Sequence, residues 1–161
     1  MEKIIESLLE ADKSIQKANH LFYVTFPLLK NKNLLIKVVL ETRNALTNCI
    51  VAVLHYEYVH KRISLTKDPE ANFRIFEENC SAKYGLQRKD LDTMKELFNI
   101  TKMHESSAME IMNKNRVVIL SKELKHETIT PENTKKFIEL SKTLFKKIKE
   151  VIIQEKRERN L

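Results

Sequence analysis

A chain of 161 residues, 42% hydrophobic and 32% charged, is long enough to bury one substantial core. Its single glycine and three prolines exclude most alternatives to helix: sandwiches and barrels need many tight turns, and Rossmann or P-loop proteins need glycines at the phosphate turn. A net charge of +7 and a pI near 9.3 point to an anionic partner without naming one.

The first helix is predicted over residues 2–20. Ile4, Leu8, Ala11, Ile15, Ala18 and Phe22 recur at helical spacing, and Ile5 and Leu9 widen the stripe. Glu2, Glu6, Glu10 and Asp12 load its first turns with acid, which suits the helix dipole. This alternation of charge with apolar residues is not that of a signal peptide. Pro27 lacks a backbone N–H, so the helix is expected to end or kink just before it.

Residues 33–62, and above all 34–59, organise everything else. Apolar side chains there fall on almost every face, from Leu34, Leu35 and Ile36 through Leu46 and Cys49 to Val53 and Leu54, with no Gly or Pro between them. A helix apolar nearly all round must be surrounded by others. No apolar run approaches the roughly 20 residues of a membrane span. Cys49 and Cys80 read as reduced core thiols of a cytoplasmic protein.

Asp68, Pro69 and Glu70 read as N-cap, N1 and N2 of a third helix whose apolar face is Phe73, Phe76, Cys80 and Tyr84, with Gly85 as its left-handed C′ residue. A fourth helix is expected from about Asp90, with Leu91, Met94, Leu97, Phe98 and Thr101 facing inward. Ser107-x-x-Glu110 matches a capping box and predicts a short new helix. Val117 to Leu120 and Thr128 to Thr130 are β-branched runs joined by a polar link, and read as a small two-stranded hairpin or an extended excursion. Thr130–Pro131 starts the last helix, which runs to about Glu158 and turns Phe137, Leu140, Leu144, Ile148, Val151 and Ile152 inward. The expected fold is therefore all-α. A single domain over residues 1–161 forms an antiparallel bundle of five or six helices around a long central helix, with a candidate hairpin before the last one.

Ala11–Asp12–Lys13, His20 to Leu29, Ala45 to Asn48, His104 to Ser107, Arg116 to Ser121 and Thr128 to Pro131 together resemble a family of small archaeal all-helical proteins, to which no activity attaches. More distantly, the helical order is similar to that of HEPN domains, bundles found in RNA-cleaving toxins and their regulators. A HEPN nuclease carries Arg, four to six residues, then His. Arg116 is followed at those spacings by Ser121, Lys122 and Glu123, and Arg43 by Asn48, Cys49 and Ile50, so the histidine is absent from both places. The resemblance implies the bundle and argues against the nuclease.

Glu57-x-x-His60 and Glu123-x-x-His126 match the i, i+3 ligand pair of carboxylate di-iron bundles. One lies at a basic helix end and the other outside any predicted helix, so both read as solvated pairs, and neither metal nor cofactor is expected. Glu41, Asn44, Asn48 and His55 form a polar seam along the central helix. Such a seam suits a buried hydrogen-bonded stripe, a solvent face, a ligand pocket or pairing with a second subunit. Arg43 is expected to meet a carboxylate across the bundle. His104 continues the Met94–Leu97–Thr101 face and reads as a core histidine. No catalytic triad can be assembled from spacing. Lys135, Lys142, Lys146, Lys149 and Lys156 recur on one side of the last helix, where they could meet phosphates or simply face solvent among interleaved glutamates. The expected function is a non-catalytic interaction module, HEPN-like, acting by self-association as a homodimer or by docking RNA or a protein partner. The alternative is an enzyme, either a degenerate nuclease or a helical metal-dependent catalyst.

Overall fold

The structure is a computed structural model that describes residues 1–107, 109–113 and 116–160. Helix α1 (Glu2–His20) runs on through a π-helical turn (Leu21–Thr25) into the single turn α2 (Phe26–Leu29). Pro27 does not end the helix; the disturbance expected just before it takes the form of the π turn. The backbone rewinds before it, Phe26 N–H donating to the Leu21 carbonyl five residues back, and helicity stops only at Lys30, whose φ is +51°. Rewinding to an i→i+5 pattern is a recognised way for a helix to absorb a lost donor.

Helix α3 (Asn33–Val59) is the central post. Leu35, Val38, Ala45, Leu46, Cys49, Ala52 and Val53 are all fully buried, enclosed by α1, by α6 (Pro131–Arg159) and by α5 (Arg88–Glu105). Ile5 and Leu9 do not widen the core stripe of α1. They stand 54% and 57% exposed, because the face that α1 buries is that of Ile4, Ser7, Ala11, Ser14, Ile15 and Ala18. Both cysteines are buried free thiols, Cys49 pushed up to about 12 and Cys80 to about 11, in each case chiefly by burial. No helix among the described residues is long and apolar enough to cross a membrane.

Asp68 caps α4 (Pro69–Ile75) by accepting from Glu70 N–H, and a second π turn (Phe76–Cys80) carries the chain to Gly85. Gly85 has a φ of +75°, the left-handed conformation its place after the turn requires. A Cβ there would meet only the Lys147 methylenes at ordinary contact distance, so strain would come from the backbone alone. Gly85→Ala is expected to cost about 1 kcal/mol in urea unfolding; a neutral or stabilising effect would contradict the strained φ.

The predicted hairpin forms, and a third strand joins it. β1 (Met109–Asn113), β2 (Arg116–Leu120) and β3 (His126–Ile129) make an antiparallel sheet in the order β1-β2-β3. The short helix predicted from Ser107 is therefore replaced by β1. Glu110 does not turn back to cap a helix; His104 Nδ1 takes its carboxylate, with Ser107 Oγ 3.4 Å away, and Ile111 pairs with Val118. Val117, Ile119 and Ile129 bury the inner face of the sheet in the core, beside α5.

Candidate functional site

Two features of the folded chain combine unusual chemistry with a defined place. The first is a polar knot where the C-terminal ends of α3 and α6 meet the segment after α4. Glu57, in the last turn of α3, is only 3% exposed. Its Oε1 accepts from Lys83 Nζ at 2.7 Å and from Tyr84 Oη at 2.7 Å, while Arg62 Nη1 reaches both oxygens at 3.2 and 3.1 Å. Glu155 of α6 accepts from Lys83 Nζ at 2.7 Å, Arg62 Nη2 at 2.9 Å and Tyr56 Oη at 2.7 Å. Arg159 Nη2 donates to Tyr56 Oη at 3.0 Å and its Nη1 donates to His60 Nε2. His60 thus carries its proton on Nδ1, which donates to the Tyr56 carbonyl at 2.7 Å.

Burial alone would raise both carboxyls. The hydrogen bonds from Lys83, Tyr84 and Arg62 outweigh it at Glu57 and hold it below the usual carboxylate range, and those from Lys83, Tyr56 and Arg62 bring Glu155 to about 2. Tyr56 is pushed up to about 12, by burial and then by its bond to Glu155. Every carboxylate oxygen already accepts from a cation or a phenol, so neither acid stands ready to take a proton from a substrate. The knot is a clasp between chain segments.

The second feature is a groove of about 860 Å³ between α3, α4 and α5. Ile50, Val51 and Leu54 of α3, Phe73 of α4 and Phe98 of α5 form an apolar floor, with Phe73 and Phe98 packed edge to face at 5.7 Å between centroids. The α3 stretch from Arg43 to Leu54 that lines it is roughly 16 Å long at a helical rise of 1.5 Å per residue. The rim is charged. Lys95 pairs with Glu77 at 3.1 Å and Arg43 meets Glu105 at 3.9 Å, while Arg74 and Lys102 are exposed and make no ion pair among the described residues. Arg43 does find a carboxylate across the bundle, at the exposed rim rather than in the core.

Of the residues singled out in the sequence, Glu57 and His60 fall in the knot and Arg43 on the groove rim, while the polar seam and the lysine stripe reach neither feature. The polar seam of α3 lies against α1: Glu41 pairs with Lys17 at 3.0 Å, Asn44 donates to Ser14 Oγ at 2.6 Å, and Asn48 donates to the Asn44 carbonyl at 3.0 Å. His55 is lowered, first by partial burial and then by the charge of Lys3 on α1. α1 takes only part of this stripe: Asn44 stays exposed, and Glu41, Asn48 and His55 are half-buried. Of the lysine stripe on α6, Lys135, Lys146, Lys149 and Lys156 are exposed. Lys142 is half-buried, 3.4 Å from Glu139 and 5.0 Å above the Tyr23 ring, and Lys149 lies 4.7 Å above Phe145.

Glu57–His60 is not the solvated pair expected. Glu57 is buried because α6 and the segment after the second π turn converge on the end of α3, and Lys83, Arg62 and Tyr84 occupy its carboxylate. Glu123 and His126 are exposed, in the β2–β3 connection and on β3. No group of three or more His, Cys, Asp or Glu placed to hold a metal ion occurs among the described residues. His104 is partly exposed and bonded to Glu110 rather than enclosed in the core, and Arg116 lies on a strand.

Sequence reasoning missed Lys83, Tyr84, Arg62 and Glu155 as one cluster. Their separations from Glu57 run from 5 to 98 residues, which no local motif spans. The available signal was Glu57 itself, a carboxylate near the end of an otherwise apolar helix, which demands buried cations. No family model, curated protein or solved structure matches the chain.

Proposed function

We propose that this chain is a non-catalytic interaction module, HEPN-like in outline, that docks an amphipathic helix of a protein partner in the groove between α3, α4 and α5. The groove carries the reading: an apolar floor of Ile50, Val51, Leu54, Phe73 and Phe98 in a cleft lined by roughly three turns of α3, with Arg74 and Lys102 on a mixed charged rim. A helix presenting apolar side chains at i, i+3 or i+4, and i+7 covers such a floor. Carboxylates flanking that stripe meet Arg74 and Lys102. Saturation of Glu57 and Glu155 supports binding over catalysis, since the two most strongly held acids serve the fold. The free buried thiols of Cys49 and Cys80 suit a cytoplasmic setting.

Selection from a displayed library of helix-favouring peptides about four turns long tests the proposal. Enriched sequences should carry the i, i+3/i+4, i+7 apolar pattern with flanking acids, and should lose binding to a Val51→Glu variant. Enrichment of sequences without that pattern, or equal binding to Val51→Glu, would overturn it.

A second reading, docking of RNA along α6, draws on the exposed Tyr23 ring beside Lys142, since aromatic rings among cations suit single-stranded nucleic acid. Lysines at helical spacing meet phosphates rather than base edges, so affinity should be modest, indifferent to sequence and steeply salt-dependent. Changing Lys142, Lys146 and Lys149 together to Gln should lower the slope of log affinity against log salt by about two, three phosphate contacts at roughly 0.7 each. Undetectable binding in low salt, or an unchanged slope, eliminates α6 as a nucleic-acid face.

A further inference from the structure

We infer that the chain forms a two-fold dimer in which β1 pairs antiparallel with β1 of a second copy, Ile111 lying on the axis, so that two three-stranded sheets become one of six strands. β1 is an edge strand, and none of its five residues is buried. Met109, Ile111 and Met112 are 57%, 43% and 44% exposed, although the neighbouring strands bury Val117, Ile119 and Ile129. Because side chains alternate along a strand, Met109 and Ile111 lie on the outer face with Asn113, and Met112 on the inner one with Glu110; each face of this edge exposes an apolar side chain.

Free edges are normally blunted by lysine, proline, a bulge or an inward-pointing charge. β1 has no lysine or proline and its five pairs with β2 run without interruption; its one charge, Glu110 on the inner face, is held by His104 and Ser107. The opposite edge, β3, is different: it carries His126, Glu127 and Thr128 and passes directly into the cap of α6. One edge of the sheet is protected and the other is left as a template for another strand.

Charge and register select a second copy as the occupant. A two-fold axis perpendicular to the sheet keeps outer faces together, so paired residues must have the same parity. With Ile111 on the axis, Met109 faces Asn113 and Glu110 faces Met112, and all five residues find partners. The strand's one carboxylate then lies opposite a thioether, with His104 and Ser107 already holding it. Centring on Glu110 would oppose two carboxylates, and centring on Met112 would leave both Met109 and Glu110 without a partner within β1. Cross-strand contacts in the Ile111 register cover Met109 and Ile111 on one face and Met112 on the other. This interface is separate from the α3–α4–α5 groove, and either can fail without the other.

Sedimentation equilibrium of the full chain, together with two cysteine variants, tests the dimer. The wild-type protein should reach twice its monomer mass at high micromolar concentration. Ile111→Lys, which opposes two ammonium groups on the axis, should return it to monomer with an unchanged far-UV spectrum and thermal midpoint. Under mild oxidation Ile111→Cys should cross-link to its own copy, whereas Met112→Cys, which faces Glu110, should not. Cys49 and Cys80 are buried and do not compete. A wild-type monomer throughout, a dimer that survives Ile111→Lys, or equal cross-linking of the two cysteine variants would each overturn the proposal.

Discussion

Leu46→Asp should leave the chain unfolded at room temperature. Leu46 is fully buried in the middle of α3, and the residues packed with it are apolar. The change removes an apolar side chain worth several kcal/mol and puts in its place a carboxylate with no cation in reach. Native stability is typically only about 5–15 kcal/mol, and a lone buried charge consumes most or all of it. Far-UV circular dichroism and a urea titration give the readout: helical signal should collapse, with no cooperative transition. A folded Leu46→Asp protein with an unchanged thermal midpoint would mean that α3 is not the centre of the bundle.

Glu57→Ala is expected to cost about 3–5 kcal/mol, the usual consequence of removing one partner from a buried ionic cluster. The loss is not simply that of its hydrogen bonds. Lys83 would retain Glu155, and Arg62 would retain one of its two carboxylates, while the Tyr84 hydroxyl, in a residue only 1% exposed, would lose the acceptor it has. Glu57→Gln keeps the shape but turns an amide N–H₂ toward two cations, so its cost should fall between those of alanine and the wild type. An alanine variant within 1 kcal/mol of wild type in urea would show that the clasp does not hold the ends of α3 and α6.

The same cluster sets the acid limb of stability. Glu57 and Glu155 are both lowered in the folded state, so they bind fewer protons folded than unfolded. Their contribution is complete above the ordinary carboxyl value of 4.5 and is lost as pH falls through that value toward about 2 for Glu155. The unfolding free energy should decline over that window, and Glu155→Gln should flatten the decline while lowering stability near neutrality. A parallel decline in Glu155→Gln would place the acid sensitivity elsewhere.

How far the fold could be read in advance varied with the range of the forces involved. The last helix begins at Thr130–Pro131 as predicted, and Thr130 and Asn133 cap one another there. Asp68 caps α4, and Gly85 takes the left-handed position. Each of these depends on residues within a few positions of one another. Ser107-x-x-Glu110 carried an equally local signal and misled, because His104 competes for the Glu110 carboxylate and β2 offers its backbone to Ile111 and Met112. Once the partner strand exists, a ladder of hydrogen bonds outweighs one cap.

The sequence by itself determined that the chain is mostly helical, though not the all-α fold expected, since a three-stranded sheet precedes the last helix. It also determined that residues 34–59 lie at the centre and where most helices begin. Propensity, periodicity and capping act over one or two turns, and a continuous apolar run can be satisfied only by enclosure. It did not determine which polar residues meet. Glu41 and Asn44, read as one seam with His55, turned out to face α1, and Glu57, read as solvated, became the most enclosed acid in the protein. The groove and the bare β1 edge arise in the same way, from the gap between α3, α4 and α5 and from the order of the strands. Only the tertiary structure decides such features, because the energy of a buried charge, an open groove or a strand edge depends on what the rest of the fold brings beside it.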